Sequence, residues 1–599
     1  MGIAANTYFT GRTPVSIGPN KDPGADLEAF AEQLTLSVEN GEVETNFLVN
    51  VVSPKVNVLA AAIAAPTDGA DASSALNAAV TVAKAFAPLS CEILLPRGTY
   101  TIDASKVLLD ASGLIIEGQG PGNTVLKAKT GSSITSAIHF GLDDGSATVT
   151  SYCGLRNMTV DGNGECSTAV VRTWNIQDFR MENVEVKGGA ALGMLMETEK
   201  STASTKSKRN KIIGCRFHSN GTSGFKNIGD RYLHVDETQA YSNGSIGMWV
   251  AGFENTGLTY AGATEVFFGN VESYSNASDG FFIDRVAQFT GVRMSAFANG
   301  GWSLQYDSST TSAGESNSGH INHLICDGGA SGGVNIQDDA DVSDLSIGRL
   351  DILDSQTNAA LNSVGFKVRG AKRLDVACAY ISGQRGNALS IVSGNPLGVA
   401  RESTEIHFGR LTAVDNGDAS AASNSAVIIG NSSSDITFSY LHLANSQTSS
   451  GSDYELNISS STVKRVKVLS GYIEANTAGQ EISVVSGALG DVLIAPAVSV
   501  NDGTDAWSIP SVASAATLNL PAHGTLIDVT GTTAITAFGK GYPGRQVSLR
   551  FPAGASWPAV SDSATAKLAG VFTAAGDDDL LSMVADESGV WRETSRSVN

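Results

Sequence analysis

Four copies of one short motif constrain how this chain can fold. SNGTSGF (219–225), SNGSIGM (242–248), SNASDGF (275–281) and ANGGW (298–302) share an Asn at positions 220, 243, 276 and 299. The steps are 23, 33 and 23 residues, so a unit of 23 residues recurs, once with a ten-residue insertion. VKGGAALGM (186–194), CDGGASGGV (326–334), SGQRGNAL (382–389) and VDNGDASAASNSAV (414–427) are weaker copies. An alternating strand precedes each strong turn (CRFHS, TQAYS, VESYS) and another follows it (GFKNI, GMWVA, GFFID). Period-2 alternation gives each strand one core face and one solvent face. No helical half is present, which excludes leucine-rich and ankyrin arrays, and the period is too short for propeller blades. The expectation is a parallel solenoid of about a dozen coils over 112–506. At a spacing of about 4.8 Å between strands, Asn220, Asn243, Asn276 and Asn299 would fall in register and form an internal amide ladder. Asn is also expected to take the left-handed conformation at each turn.

Both ends differ from this pattern. Residues 1–50 are polar, with one expected helix over 26–37. Residues 51–111 read as strand, helix from about Ser73 to Phe86, strand, Pro-Arg-Gly turn and strand, with Ser73 or Ser74 as helix cap. Near residue 507 the period stops. Longer alternating strands follow to 599, joined by Gly-Thr, Pro-Gly and Ser-Gly turns, and read as a small β-sandwich.

Charge narrows the partners. A formal net charge of −21 argues against nucleic acid and anionic lipid, but a local basic patch could still receive an acidic sugar polymer. No apolar run approaches the roughly 18 residues of a membrane span. The N-terminus has no basic stretch leading into an apolar one, as a signal peptide would. Six scattered cysteines without a CxxC pair read as buried free thiols.

Two stretches carry a resemblance. DGADASSA (68–75) followed by LPRGTY (95–100) resembles the opening of the pectate-lyase-like superfamily, and PGRQVSLRF (543–551) with VWRETSRSVN (590–599) resembles the C-terminal module of bacteriophage tailspikes. The resemblance implies an all-β, right-handed, single-stranded parallel β-helix that trimerises through 507–599. It also implies attachment to a phage tail or baseplate protein through residues 1–50. Such a protein sits on the virion tail and acts outside the cell, on O-antigen, capsule or exopolysaccharide. The resemblance leaves the chemistry open among hydrolase, lyase, deacetylase and plain binding.

A glycosidase needs two carboxyl groups about 5–5.5 Å apart for retention or about 6.5–9.5 Å apart for inversion. Adjacent coils offer such spacings without any local motif. Aligning the second strands by their Gly places Lys226, Trp249, Phe282, Ser303, Asn335 and Lys367 outward. Two residues further come Ile228, Ala251, Asp284, Gln305, Gln337 and Arg369. Trp249 and Phe282 would form an exposed strip for sugar rings, or lie beneath the inserted segment 252–264. Asp284, Asp307, Asp338, Asp339 and Glu254 are the candidate catalytic acids, and Trp249, Phe282, Arg285, Tyr306 and Lys226 the candidate substrate contacts. A lyase would instead use Lys226 or Arg285 as base, with the acids holding Ca²⁺; otherwise no cofactor or metal is expected. His320 and His323, at i, i+3, have the wrong spacing for one strand face.

Overall fold

The computed structural model describes residues 48–52, 56–59, 72–84, 90–103, 107–142, 149–198, 208–252, 265–307, 318–337, 343–353, 363–393, 402–416, 425–444, 454–475, 481–495, 497–501, 509–521, 524–552, 558–576 and 578–598. The N-terminal segment, with its expected helix, lies outside these residues except for 48–50. The chain divides into two compact units, Met1–Gly300 and Gly301–Asn599.

The first unit starts with Leu48–Val52, antiparallel to both Val56–Leu59 and Ser90–Leu94. The helix Ser73–Lys84 follows where expected. Its buried Leu76, Ala79, Val80 and Ala83 make an i, i+3, i+4, i+7 stripe, and it packs on Ser90–Leu94, Val107–Leu109 and Leu114–Glu117. A helix laid there shields one end of the stack. Ser73 is the first helical residue and does not cap. Its hydroxyl donates to Asp103 O and accepts from Asp103 N, tying the helix to a neighbouring strand.

From there the unit is a stack of parallel coils. One sheet holds Val107–Leu109, Ile138–Phe140, Ala169–Trp174, Leu192–Glu197, Phe225–Ile228, Met248–Ala251 and Phe281–Asp284, each paired in parallel with its neighbours. The facing sheet runs up to Val266–Tyr274 and Gln288–Phe297, which pair in parallel. Their inward side chains meet in one core, where Phe268 lies 6.2 Å from Phe281 and 5.4 Å from Phe289 between ring centroids. Successive parallel strands joined across a core take the right-handed crossover, and the fold is the right-handed parallel β-helix.

The Asn ladder is present. Asn220 Nδ2 donates to Asn243 Oδ1, Asn243 Nδ2 to Asn276 Oδ1 and Asn276 Nδ2 to Asn299 Oδ1, each at 2.9 Å. Each Oδ1 also accepts the preceding rung's backbone N–H, at 3.1–3.2 Å. The left-handed residue is not the Asn but the one before it: Ser219, Ser242, Ser275 and Ala298 have φ of 56°, 53°, 53° and 48°. That kink turns the Asn amide inward, where it is buried. Gly221 and Gly244 are needed for close approach, since a Cβ on either would strike a carbonyl oxygen of the preceding coil.

The second unit repeats the plan. Trp302–Asp307, Gly332–Gln337, Val364–Arg369, Leu389–Val392, Val427–Ile429, Leu456–Ile458 and Ile482–Val484 form its shorter sheet. Ser318–Asp327, Ser343–Leu353, Lys372–Ser382, Ser403–Val414 and Ser433–Ala444 are the long strands of the other. Phe366, Phe408 and Phe438 line its core at centroid spacings of 6.1 and 5.3 Å. The C-terminal residues form a six-stranded mixed sheet plus two two-stranded pieces. They share one apolar core that includes Leu518, Phe538, Val560, Phe572, Leu581 and Trp591. All six cysteines are free, and burial pushes the thiols of Cys91, Cys153, Cys166 and Cys215 up to about 12.

Candidate functional site

On the first unit, Lys226, Trp249 and Phe282 are register partners on three successive coils, and each is half-exposed. Lys226 Nζ stands 3.5 Å from the Trp249 ring centroid, and the Trp249 and Phe282 rings lie 5.4 Å apart at 34°. The three side chains therefore form one contiguous strip across successive coils. The strip offers an approaching sugar two partly exposed rings beside an ammonium. Burial lowers the Lys226 pKa, opposed by the nearby carboxylates of Glu197 and Asp284.

Asp284 stands at the end of the same strand, in register with Ala251. Only 2% of it is exposed. Arg285 closes over it, Nε to Oδ1 at 2.9 Å and Nη2 to Oδ2 at 2.7 Å. This fork needs Arg285 in the left-handed region, at φ 54°, which folds the side chain back on its neighbour. Both carboxylate oxygens accept from the guanidinium, so Asp284 is presented as a shielded anion.

In the second unit the Gly alignment is corrected by two residues at its first strand. Leu304, not Trp302, pairs with Val334 and then Phe366 as the inward residue, so buried Ser303 stands beside Gly333 and Gly365. The outward series is Gln305, Asn335, Lys367 and Ser390. Tyr306 points into the core at 1% exposed and is not a substrate contact. Asp307 is 4% exposed, and the following coils carry Gln337 and Arg369 at its position. Glu254, Asp338 and Asp339 lie outside the described residues. His320 binds Ser346 and His323 binds Asp351, so the two do not converge. Among the described residues no group of three or more His, Cys, Asp or Glu is arranged to hold a metal ion.

Two surface features went unread in the sequence. His218, Tyr241 and Tyr274 stack at 4.6 and 4.8 Å, tilted by only 6° and 2°. Each lies two residues before a ladder Asn, so the repeat itself could have revealed them. A groove of about 490 Å³ is lined by Arg209, Lys211, Tyr232, His234, Glu265 and Phe267, among others; its residues share no motif.

No protein family matches the chain, and no curated protein does. Among solved structures, the A-module of the mannuronan C-5 epimerase AlgE4 from Azotobacter vinelandii is similar at 17% identity, with 65% of this chain and 97% of that one covered and a TM-score of 0.43. Pre-mature gene product 12 of bacteriophage phi29 gives 14%, 84%, 67% and 0.41 in the same order. A family 28 exopolygalacturonase from Yersinia enterocolitica gives 10%, 69%, 80% and 0.41.

Proposed function

We propose that this chain is a phage tailspike that grips a bacterial surface polysaccharide (O-antigen, capsule or exopolysaccharide) along the Lys226–Trp249–Phe282 flank. In this reading it depolymerises that polymer by endo-glycosidic hydrolysis. The supporting observation is the flank itself: two partly exposed rings and an ammonium in register, beside an ion-paired carboxylate. A contiguous aromatic patch left at a surface marks a place for a partner. Asp284 supplies one of the two carboxylates of the working pair. A substrate anion drawing Arg285 away would free Asp284 to act. The protein works as a homotrimer at the host cell surface, held to the tail through its N-terminus, and needs no cofactor.

One observation favours elimination as a second reading. The pKa of Lys226 is lowered by burial, which suits a base that must be neutral to abstract a proton. Lyase activity would then rise with pH as that amine loses its proton. Its supporting observation is Lys226.

A panel of purified surface polysaccharides tests both. Reducing ends released without new ultraviolet absorbance indicate hydrolysis, and an unsaturated product that absorbs indicates elimination. Binding with no product reduces the protein to a receptor-binding fibre. Trp249→Ala should weaken glycan binding by about 1–3 kcal/mol, if stacking on sugar resembles stacking on bases; unchanged affinity by calorimetry would move the site elsewhere. Removing residues 507–599 should leave monomers or aggregates by light scattering. A soluble trimer from that truncation would overturn the role given to the tail.

A further inference from the structure

On the long-strand sheet of the second unit, residues from three successive coils form a hydrogen-bonded chain. Asp375 on Lys372–Ser382 is the register partner of His407 on Ser403–Val414. Ser439, on Ser433–Ala444, lies two residues past Thr437, the partner of His407 on the next coil. His407 Nδ1 is 2.6 Å from Asp375 Oδ1, and Nε2 is 2.9 Å from Ser439 Oγ. We propose that Asp375, His407 and Ser439 form an acyl-transfer site that hydrolyses short ester substituents on a polymer lying along this sheet.

The order of contacts carries the inference. A carboxylate on Nδ1 fixes the tautomer in which that nitrogen holds the proton, leaving Nε2 to accept from the serine hydroxyl. Other histidines on these sheets lack the full set. His320 has a serine, and His323 has an acid that it shares with Arg349. His218 touches both Ser219 and Glu185, but its ring is covered by Tyr241 and Glu185 also binds Thr159. His407 is open, with side-chain exposures of 46% for it and 58% for Asp375. The Arg410 guanidinium lies 5.2 Å from the ring centroid of Tyr440, the residue after Ser439.

The chemistry closes on these groups and water. Ser439 Oγ bonds to the ester carbonyl carbon while His407 Nε2 takes the hydroxyl proton. The imidazolium returns it to the departing alcohol oxygen as the ester C–O bond breaks. Water then attacks the acylated serine by the same route, releasing the carboxylic acid and restoring Ser439. An open sheet face suits an acetyl-sized group projecting from an extended polymer. It does not suit a long acyl chain, which needs walls.

The full-length protein should be treated with a fluorophosphonate probe and assayed with p-nitrophenyl acetate. One adduct at Ser439 is expected by mass spectrometry. Ester hydrolysis should fall by at least about 100-fold in Ser439→Ala and in His407→Gln. Ser346→Ala, which alters the serine beside His320, should change neither result. Absence of the adduct from the unaltered protein overturns the proposal, as does undiminished hydrolysis in a Ser439→Ala protein that melts like the parent. Depolymerisation is scored separately, on reducing ends, so either activity can fail while the other stands.

Discussion

Arg285→Ala should cost the first unit about 3–5 kcal/mol, because it takes the ion-pair partner from a carboxylate with almost no access to water. Arg285 donates two parallel hydrogen bonds to Asp284, so removing the guanidinium takes the counter-charge from a carboxylate that is 2% exposed. Replacing both with apolar residues of similar size, Asp284→Leu with Arg285→Met, should recover most of that loss. The pair of variants separates structure from chemistry. If Asp284 serves turnover, the double variant should be folded and glycan-binding, yet slower by at least about 100-fold, the low end of an acid–base contribution. Full depolymerisation by the double variant would make the pair structural only.

Asn243→Leu should lower stability by about 3–9 kcal/mol, read as a shift in denaturant midpoint at unchanged slope. The figure follows from the groups it orphans. Asn220 loses the acceptor for its Nδ2 and its backbone N–H, and the Phe217 carbonyl loses the amide that donates to it. Each stranded buried group costs about 1–3 kcal/mol. Asn243→Asp should do no better, since it sets a carboxylate oxygen against Asn276 Oδ1. A loss below about 1 kcal/mol in both variants would mean the ladder is decorative.

The ladder was legible because its signal is periodic: Asn at a fixed distance before each Gly-led strand. The helix was legible because one stripe of Ala, Leu and Val is apolar. Register failed where the signal was a single glycine. Gly301 imitates the strand-opening glycine, but Ser303 occupies that place, so the residue aligned with Asn335 and Lys367 is Gln305 rather than Ser303. The Asp284–Arg285 fork could not be read either, because it depends on one left-handed residue, and nothing in the letters marks an arginine as that residue. Asp375, His407 and Ser439 were within reach. They lie 32 residues apart in each step, a coil length that the strong 23-residue copies obscured.

The ladder also bears on how such a chain can change over generations. Asn243 and Asn276 are 33 residues apart, Asn220 and Asn243 only 23, yet both pairs bond at 2.9 Å. The stack therefore registers position within a coil and is indifferent to how much chain hangs outside it. Lineages could lengthen, shorten or exchange an outer segment without renegotiating the core. A new outer surface can then arise from a single insertion rather than from many coordinated substitutions.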